Sequence, residues 1–536
     1  MIAVSKGWQD AQKQMLLPEM FIELSYMVTD PGIQDRASLS VSDPENFSNP
    51  EEVLSLDEKN PERYAVLDYG CWGLDGSLMY FDGSPGDPGY VYKNYSSADG
   101  SMGTVPVLSM MFAETQDVLI PGITIKWSDA FYGWATDFRV RAYNGLSIVA
   151  ETTVTGNTAT TSVVWMDMIH YTRIEIEILK WSHPYQRVRC SEIIIGIEQI
   201  YDKDDLLQYE HHQSVDLLSA ALPESKITFH LRNDDGRWNP DNPANMEKYL
   251  MEQQEVRVRY GMDINGTTEW IKGGTYWLSE RSTPANGLEA VFTARDAVEF
   301  MNIRYTGQYV GTLYDIAASA LEEADIPKKD DGSVRYIISE KLRDFTVNIP
   351  SGGFGYTIAE VLQMVANAAD CVFYQDREGM VRIEPWNKGY SNYMIEPHVS
   401  YAHPEYTVSK PLKAVSVGYG EELRAEIHVA NKGEIQTVDN PFVTTEEDAL
   451  RVGNTTKSVL ENRKVISGDF RADLRVDALD NVVVASKYAS NVIGITDITY
   501  STTGGAFKGK YTGRVVSVAL EPTKVYSNEF NVGELW

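Results

Sequence analysis

The sequence predicts a mainly β chain with a small α+β part, and three observations carry that prediction. Short segments in which apolar and polar residues alternate recur along most of the chain, with Gly, Asn and Asp turns between them, as half-buried antiparallel strands require. Helical spacing of apolar residues is confined to a few stretches, chiefly TLYDIAASALEEADI, TIAEVLQMVANAAD and TEEDALRVGNTTKSVLENR. Aromatic residues are frequent, with 31 Tyr and 11 Trp, and 536 residues leave room for several cores. By the usual length per domain that is about three or four domains.

The stretch Ser225 to Pro243, SKITFHLRNDDGRWNPDNP, organises the rest. Ile227, Phe229 and Leu231 alternate as one apolar face of a strand. Asn233, Asp234, Asp235 and Gly236 supply turn chemistry, because they bond their own backbone or accept positive φ. Asn239, Pro240, Asp241, Asn242 and Pro243 add two stiff X-Pro steps that forbid helix and hold an extended loop. With VDLLSAALPE before it, and Tyr249, Leu250 and the strand EVRVRYG after it, this segment resembles the hub or tail-tip protein of long-tailed bacteriophages. In that family strand, acidic Asn turn and Pro-rich loop come in this order. Any antiparallel β-protein can own such a turn, so the remaining segments bear on the reading.

Taken in order, residues 1 to 20 read as a helix or arm, FIELSYMV as a first strand and ASLSVSD as a second, with a short helix or turn from Asn49 to Leu56. In ERYAVLDYGCWGLDGSL, the residues Tyr64, Ala65, Trp72, Leu74, Asp75 and Gly76 match a phrase that leads into an inserted domain in the phage tail family. Residues 69–201 then change to short, closely spaced strands, the signal of a sandwich. GITIKW, DFRVRAYNG, RIEIEILKW and IIIGI resemble galactose-binding-like jelly rolls of the discoidin and carbohydrate-binding type. EVRVRYG, TEWIKGGTYWLSE and LEAVFTARDAVEF return to the hub pattern, with Ala294, Arg295 and Asp296 as the family's closing phrase. Residues 1–68 and 202–300 are accordingly expected to be two parts of one barrel interrupted by the insert, since loop insertions are tolerated where the ends lie close.

Residues 301–390 read as helix, helix, hairpin. Leu313, Ile316, Ala317, Ala320 and Leu321 share a helix face capped by Thr312; Thr357 caps a second helix that buries Ile358, Val361, Leu362 and Val365; the hairpin turns at Asp376 to Gly379. Residues 391–536 are β-rich, and VDNPF and LRVDALDNVVV resemble the family's second barrel, which repeats the first. Leu479 and Asp480 stand where many members carry Gly-Asp, which puts that turn in doubt. The implied architecture is two related antiparallel hub barrels, an inserted β-sandwich (jelly roll) and a helix-helix-hairpin domain.

Chemistry is sparse. Lys plus Arg number 47 against 77 Asp plus Glu, a net charge of −30 that disfavours wrapping a phosphate backbone. Cys71, Cys190 and Cys371 make no framework, and buried free thiols are expected; a Cys71–Cys190 disulfide is the alternative, since the two flank the insert. The N-terminus has no secretory h-region, and no segment has the length of a membrane span. The eight histidines include no H-E-x-x-H, there is no G-x-S-x-G, and SGGFGYT lacks the Walker lysine. Asp234, Asp235 and Asp241, like Asp82 and Asp87, lack the calcium-loop alternation and read as turn formers. No carboxylate pair is singled out, so no metal, no cofactor and no enzymatic activity are expected.

The resemblance implies a structural assembly protein: a homotrimeric ring at the distal end of the tail of a virion, assembled in the bacterial host cytoplasm. Its implied partners are the distal tail protein and tail tube, the tape-measure protein, and receptor-binding or fibre proteins. DNA would pass an acidic lumen without specific binding. The competing readings are a carbohydrate-binding host-recognition protein whose barrels are a mount, and a cell-wall-degrading tail enzyme, for which zymography is the discriminator. For a host cell-wall glycan the insert offers Tyr132 and Trp134 in the loop SDAFYGWATD, where aromatics are expected to be exposed, and Arg139 and Arg141 on the next strand. From Lys126 to Arg189 seven cations face six acids, a balance suited to anionic wall polymers.

Overall fold

Alternation along Glu224–Arg232 places Ile227, Phe229 and Leu231 in the core and leaves Lys226, Thr228 and His230 partly exposed. The computed structural model describes residues 1–520 apart from 15–17, 31, 56–65, 67, 72–86, 128–132, 240, 243–245, 251–252, 285–286, 330–332, 350–354, 387–392, 421, 487–489 and 504–505. Tyr64, Ala65, Trp72, Leu74, Asp75 and Gly76, with Asp82 and the loop residue Tyr132, therefore fall outside the described residues.

Glu224–Arg232 lies inside a 13-stranded sheet. Its path runs Ile197–Tyr201, Met20–Val28, Glu255–Ile264, Thr267–Ser282, Glu289–Arg295, Glu224–Arg232, Leu206–Ser214, Ser490–Thr502, Phe507–Leu520, Lys464–Arg471 and Glu405–Val408. Asn481–Ala485 and Met394–Ile395 branch from Ser490–Thr502. The two β-rich regions thus meet edge to edge, Tyr209 opposite Thr502, His211 opposite Tyr500 and Ser214 opposite Asp497. They also share one core, in which Leu24, Tyr260 and Phe292 pack in the same cluster as Ile498, Tyr500 and Val515. The N-terminal helix Lys6–Gln12, capped by Ser5, lays buried Trp8 on that core, and Gln12 donates to the Ala472 carbonyl at 2.9 Å.

The Asn turn after Leu231 is anchored inward. Asn233 is buried; its Oδ1 accepts from the Trp238 amide at 2.9 Å and its Nδ2 donates to the Gly287 carbonyl at 3.1 Å. Gly236 takes φ 68°, and Trp238 swings back to meet Phe292 edge-on at 5.1 Å.

The sandwich has a four-stranded sheet, Thr161–Met168, Ile120–Trp127, Arg187–Ile194 and Tyr90–Tyr95, and a five-stranded sheet, Ala37–Val41, Val107–Gln116, Tyr171–Trp181, Ala135–Asn144 and Ser147–Val154. Two strands differ from the expected assignment. Ala37–Val41, read as part of the first barrel, pairs with Val107–Gln116, and Ile197–Tyr201, read as part of the insert, pairs with Met20–Val28. The chain leaves the large sheet at Val28 and re-enters it at Ile197, directly opposite, so the insertion begins near residue 30 rather than 69. Alternation identifies a strand without naming its partner, which is why both were misassigned.

Thr312 and Thr357 both form capping boxes, with Asp315 and Glu360, on helices Leu313–Glu323 and Ile358–Ala368. The hairpin Val372–Gln375 with Val381–Glu384 follows, and Tyr336–Ile338 adds a parallel strand. Leu412–Tyr419, Leu423–His428 and Glu434–Val438, expected in the second barrel, instead make a separate three-stranded sheet under helix Glu446–Leu460. Val415, Val417, Ala449 and Val452 join the core of the two earlier helices, because the helix turns one apolar face inward. Leu479 sits at φ 70°, so the turn keeps a left-handed residue where the family pattern has Gly.

Asn233→Ala removes both side-chain bonds and leaves the buried Trp238 amide unpaired, a loss of about 1–3 kcal/mol. The expected outcome is a lowered midpoint in urea unfolding; an unchanged midpoint would refute the anchoring role.

Candidate functional site

The outer face of the five-stranded sheet carries the predicted arginines. Phe138, Val140 and Ala142 point into the core, which turns Arg139 and Arg141 outward on the same strand. Arg139 Nε donates to Glu177 Oε2 at 2.9 Å and Arg141 Nη1 donates to Glu177 Oε1 at 2.9 Å, so a single carboxylate holds both. Arg141 also pairs with Glu151, and this bond holds its guanidinium firmly protonated. Beside them Arg173 lies over the Tyr143 ring at 4.3 Å and pairs with Glu175 at 3.1 Å. The face is a lattice of alternating charges, presenting guanidinium edges and one stacked phenol to solvent. An anionic or hydroxyl-rich ligand would bind here by competing with Glu151, Glu175 and Glu177 for donors.

Among the described aromatic residues of the insert, only the loop residue Trp134 departs from expectation. Trp127 and Trp181 are core, packed edge to face at 5.9 Å. Trp134, a loop residue, is half-buried: its Nε1 donates to the Asn157 carbonyl at 2.9 Å and its ring meets His183 edge-on at 5.7 Å. Trp165, on a regular strand, is 48% exposed. The reason is register. Ser162, Val164, Met166 and Met168 face inward, so Val163, Trp165 and Asp167 face out, whereas Trp134 packs against the sandwich core. Strict alternation in TSVVWMDM was the sequence signal for Trp165. Trp134 immediately precedes the strand of Arg139 and Arg141, but its indole N–H is committed to the loop that carries Asn157.

Near the same segment, Ser182 to Arg189, the carboxylate of Asp68 is fully buried between two arginines. Its Oδ2 accepts from the Arg187 amide at 3.0 Å and from Arg189 Nη1 at 2.5 Å, and Arg187 stacks on the Tyr95 ring at 4.3 Å. Cys71 lies close by, accepting from Gln186 Nε2 at 3.2 Å, but Cys71, Cys190 and Cys371 are all free thiols. Burial pushes the Cys371 thiol up to about 12, leaving it protonated and inert at neutral pH.

A cavity of about 410 Å³ opens between the large sheet and the hairpin, lined by Asp296, Asp376, Arg377, Trp386, Asp477 and Asp480 among others. Asp296 caps the short helix Ala297–Met301, with Oδ1 accepting from Val298 at 3.1 Å and Oδ2 from Ser225 at 2.8 Å. Burial still raises its carboxyl to about 7. Arg377 spans the cavity wall, Nε to Asp477 at 2.6 Å, Nη1 to the Leu474 carbonyl at 2.6 Å and Nη2 to the Val476 carbonyl at 3.0 Å. These groups serve one another. Among the described residues no three His, Cys, Asp or Glu side chains are grouped to hold a metal ion, and no helix is long and apolar enough to cross a membrane.

No family model matches the sequence, and no curated protein matches it. Solved structures with a similar fold include tail proteins of prophages. The 43 kDa tail protein of prophage MuSo2 from Shewanella oneidensis is 15% identical, with 59% of this chain and 94% of that chain covered and a TM-score of 0.40. A tail protein from Neisseria meningitidis MC58 is 11% identical, with 60% and 95% covered and a TM-score of 0.41. Prophage tail protein gp18 from Listeria monocytogenes EGD-e is 12% identical, with 60% and 91% covered and a TM-score of 0.39. At these identities and scores the likeness assigns no function to this chain.

Asp68→Asn strips the buried charge from between Arg187 and Arg189, a change expected to cost about 3–5 kcal/mol. Calorimetry should show the sandwich unfolding at lower temperature; a transition at the wild-type temperature would mean that the arginines are satisfied without it.

Proposed function

We propose that this chain is a structural hub or tail-tip protein of a phage or phage-like particle, three copies of which close a ring at the distal end of the tail tube. The observation that carries the reading is the edge-to-edge union of the two β-rich regions in one 13-stranded sheet. That union makes the chain a stiff wall segment rather than a string of hinged modules. The resemblance of Ser225 to Pro243 to the family's strand, turn and loop supports it, as does the helix-helix-hairpin that follows. The net charge of −30 suits a lumen that repels passing DNA. Its neighbours in the particle are the distal tail protein, the tube, the tape-measure protein, and receptor-binding or fibre proteins. Mass photometry and negative-stain images of the purified protein, or of tails carrying it, are expected to report three copies in a ring. A strict monomer within the particle would overturn the proposal.

The insert is the host-facing part in this reading, and Tyr132, Trp134, Arg139 and Arg141 are the residues assigned to glycan binding. The facing positions of Val28 and Ile197 support a separable insert, since Thr29 and Gly196 can be joined without moving either strand. Replacing residues 30–195 by a short Gly/Ser linker is expected to leave soluble protein that still assembles; loss of all soluble protein would make the sandwich part of the ring's own core. Full-length protein is expected to sediment with host cell walls, and the double variant Tyr132→Ala, Trp134→Ala to lose at least tenfold in affinity. Binding by neither protein would make the insert a spacer, and equal binding by both would move the site elsewhere.

A further inference from the structure

The seam where Leu206–Ser214 pairs with Ser490–Thr502 contains a buried histidine that the proposed function does not use. His211 is wholly inaccessible to solvent. Its Nδ1 lies 3.0 Å from the Tyr260 hydroxyl and its Nε2 2.6 Å from the Tyr276 hydroxyl, while Tyr260 reaches the Tyr209 hydroxyl at 2.8 Å and Tyr276 reaches Ser225 Oγ at 3.4 Å. A neutral imidazole completes a one-way chain: Tyr209 donates to Tyr260, Tyr260 to Nδ1, Nε2–H to Tyr276 and Tyr276 to Ser225. In that direction all four of these donors are used.

A second proton reverses this. With both ring nitrogens donating, Tyr260 must turn its hydroxyl proton back toward Tyr209, and the Tyr209 hydroxyl then loses its acceptor in a dry core. Among the described residues, the groups around the ring offer no uncommitted anion. From the hairpin comes Arg377, a cation stacked 5.7 Å from the Tyr260 ring. From the partner strand Tyr500 faces the imidazole at 6.4 Å, its hydroxyl donating to the Asp473 and Val476 carbonyls. In the segment after Lys464–Arg471, the Asp473 carboxylate is bonded to Arg475 and the Asp477 carboxylate to Arg377. From Phe507–Leu520 comes the Phe507 ring, edge-on to Tyr260. On the neighbouring strands Glu224 pairs with Lys226, and Asp296 accepts from the Ser225 amide. His212 points to the opposite face, 3.0 Å from Thr499 Oγ1.

We propose that His211 is a pH-sensitive latch on this seam: proton uptake by its imidazole breaks the tyrosine chain and loosens the pairing that joins the two halves of the large sheet. Burial, with the Arg377 charge second, holds the imidazole well below the ordinary histidine range. The sign follows. A histidine kept neutral in the closed state and free to protonate in the open one leaves the seam fully stable above about pH 6.5, and the closed-to-open ratio falls by about tenfold for each pH unit below that. Asp296 acts oppositely, because its raised carboxyl favours the closed state as pH falls through about 7. The slope attributable to His211 is therefore the difference between wild type and His211→Gln, which keeps hydrogen-bonding groups and cannot titrate. This latch does not depend on the ring reading.

The test is hydrogen–deuterium exchange of full-length protein between pH 8 and pH 5, corrected for intrinsic rates and read over 206–214 and 490–502. Relative to His211→Gln, wild type is expected to lose about tenfold in protection per pH unit below about 6.5, and His212→Gln to follow wild type. Equal slopes for wild type and His211→Gln would overturn the proposal. Should His211→Gln fail to fold, NMR of wild type with labelled histidine decides: one of the eight imidazoles is expected to stay neutral to pH 5. Titration of all eight near pH 6.5 would overturn the latch.

Discussion

The guanidinium of Arg377 is the contact on which the three structural regions depend. It projects from the hairpin turn into the wall of the large sheet, where it donates to the Leu474 and Val476 carbonyls and to Asp477. One side chain from the α/β region therefore fixes a loop of the C-terminal β region beside the tyrosines of the N-terminal one. Planar, always charged and able to donate in several directions, Arg fits a place where carbonyls converge; a Lys would satisfy fewer of them. Burying that charge is costly, and each carbonyl it satisfies lowers the cost, so the site tolerates only one arrangement of its neighbours.

The tyrosine and histidine chain lies against the same guanidinium. Tyr209, Tyr260, Tyr276 and Tyr500 are all buried, and each finds a partner for its hydroxyl within the seam. An apolar core of the same shape would hold the sheet as strongly but would accept sliding between strands, since a slip by two residues keeps the same faces inward. A directional polar chain penalises that slip. The seam's register, His211 against Tyr500, is specified by hydrogen bonds as much as by packing.

The sandwich is attached by a different device. Its two junctions face each other across one strand pair, so the inserted chain adds a body without disturbing the sheet's order. Lys126 bridges Glu192 and Glu198 at 3.3 and 2.9 Å, and Lys248 reaches Asp167 at 2.9 Å, tying the body to its mount through partly exposed ions. Such pairs contribute little stability in water and mainly fix orientation. Inside the sandwich the buried Asp68 takes the role that Arg377 has in the large sheet, with the charges reversed.

The sequence by itself determined the local elements. Alternation located most strands, Thr312 and Thr357 marked two helix starts, and the Asn-Asp-Gly run marked the turn after Leu231, because each of these is fixed by neighbours within a few residues. Tertiary structure alone decided which strands pair. Ala37–Val41 and Ile197–Tyr201 have the same alternation whichever sheet they join, and 412–438 reads as barrel strands until the helix after it claims them for another core. It also decided exposure at the candidate site: Trp134, a loop residue, is half-buried, since burial depends on what covers a residue and not on its own secondary structure. Leu479 shows the limit from the other side. Its side chain argues against a left-handed turn, yet the Trp386 indole bonded to its carbonyl at 3.0 Å and the amide bond to Ile495 at 2.8 Å, both distant in sequence, hold it there.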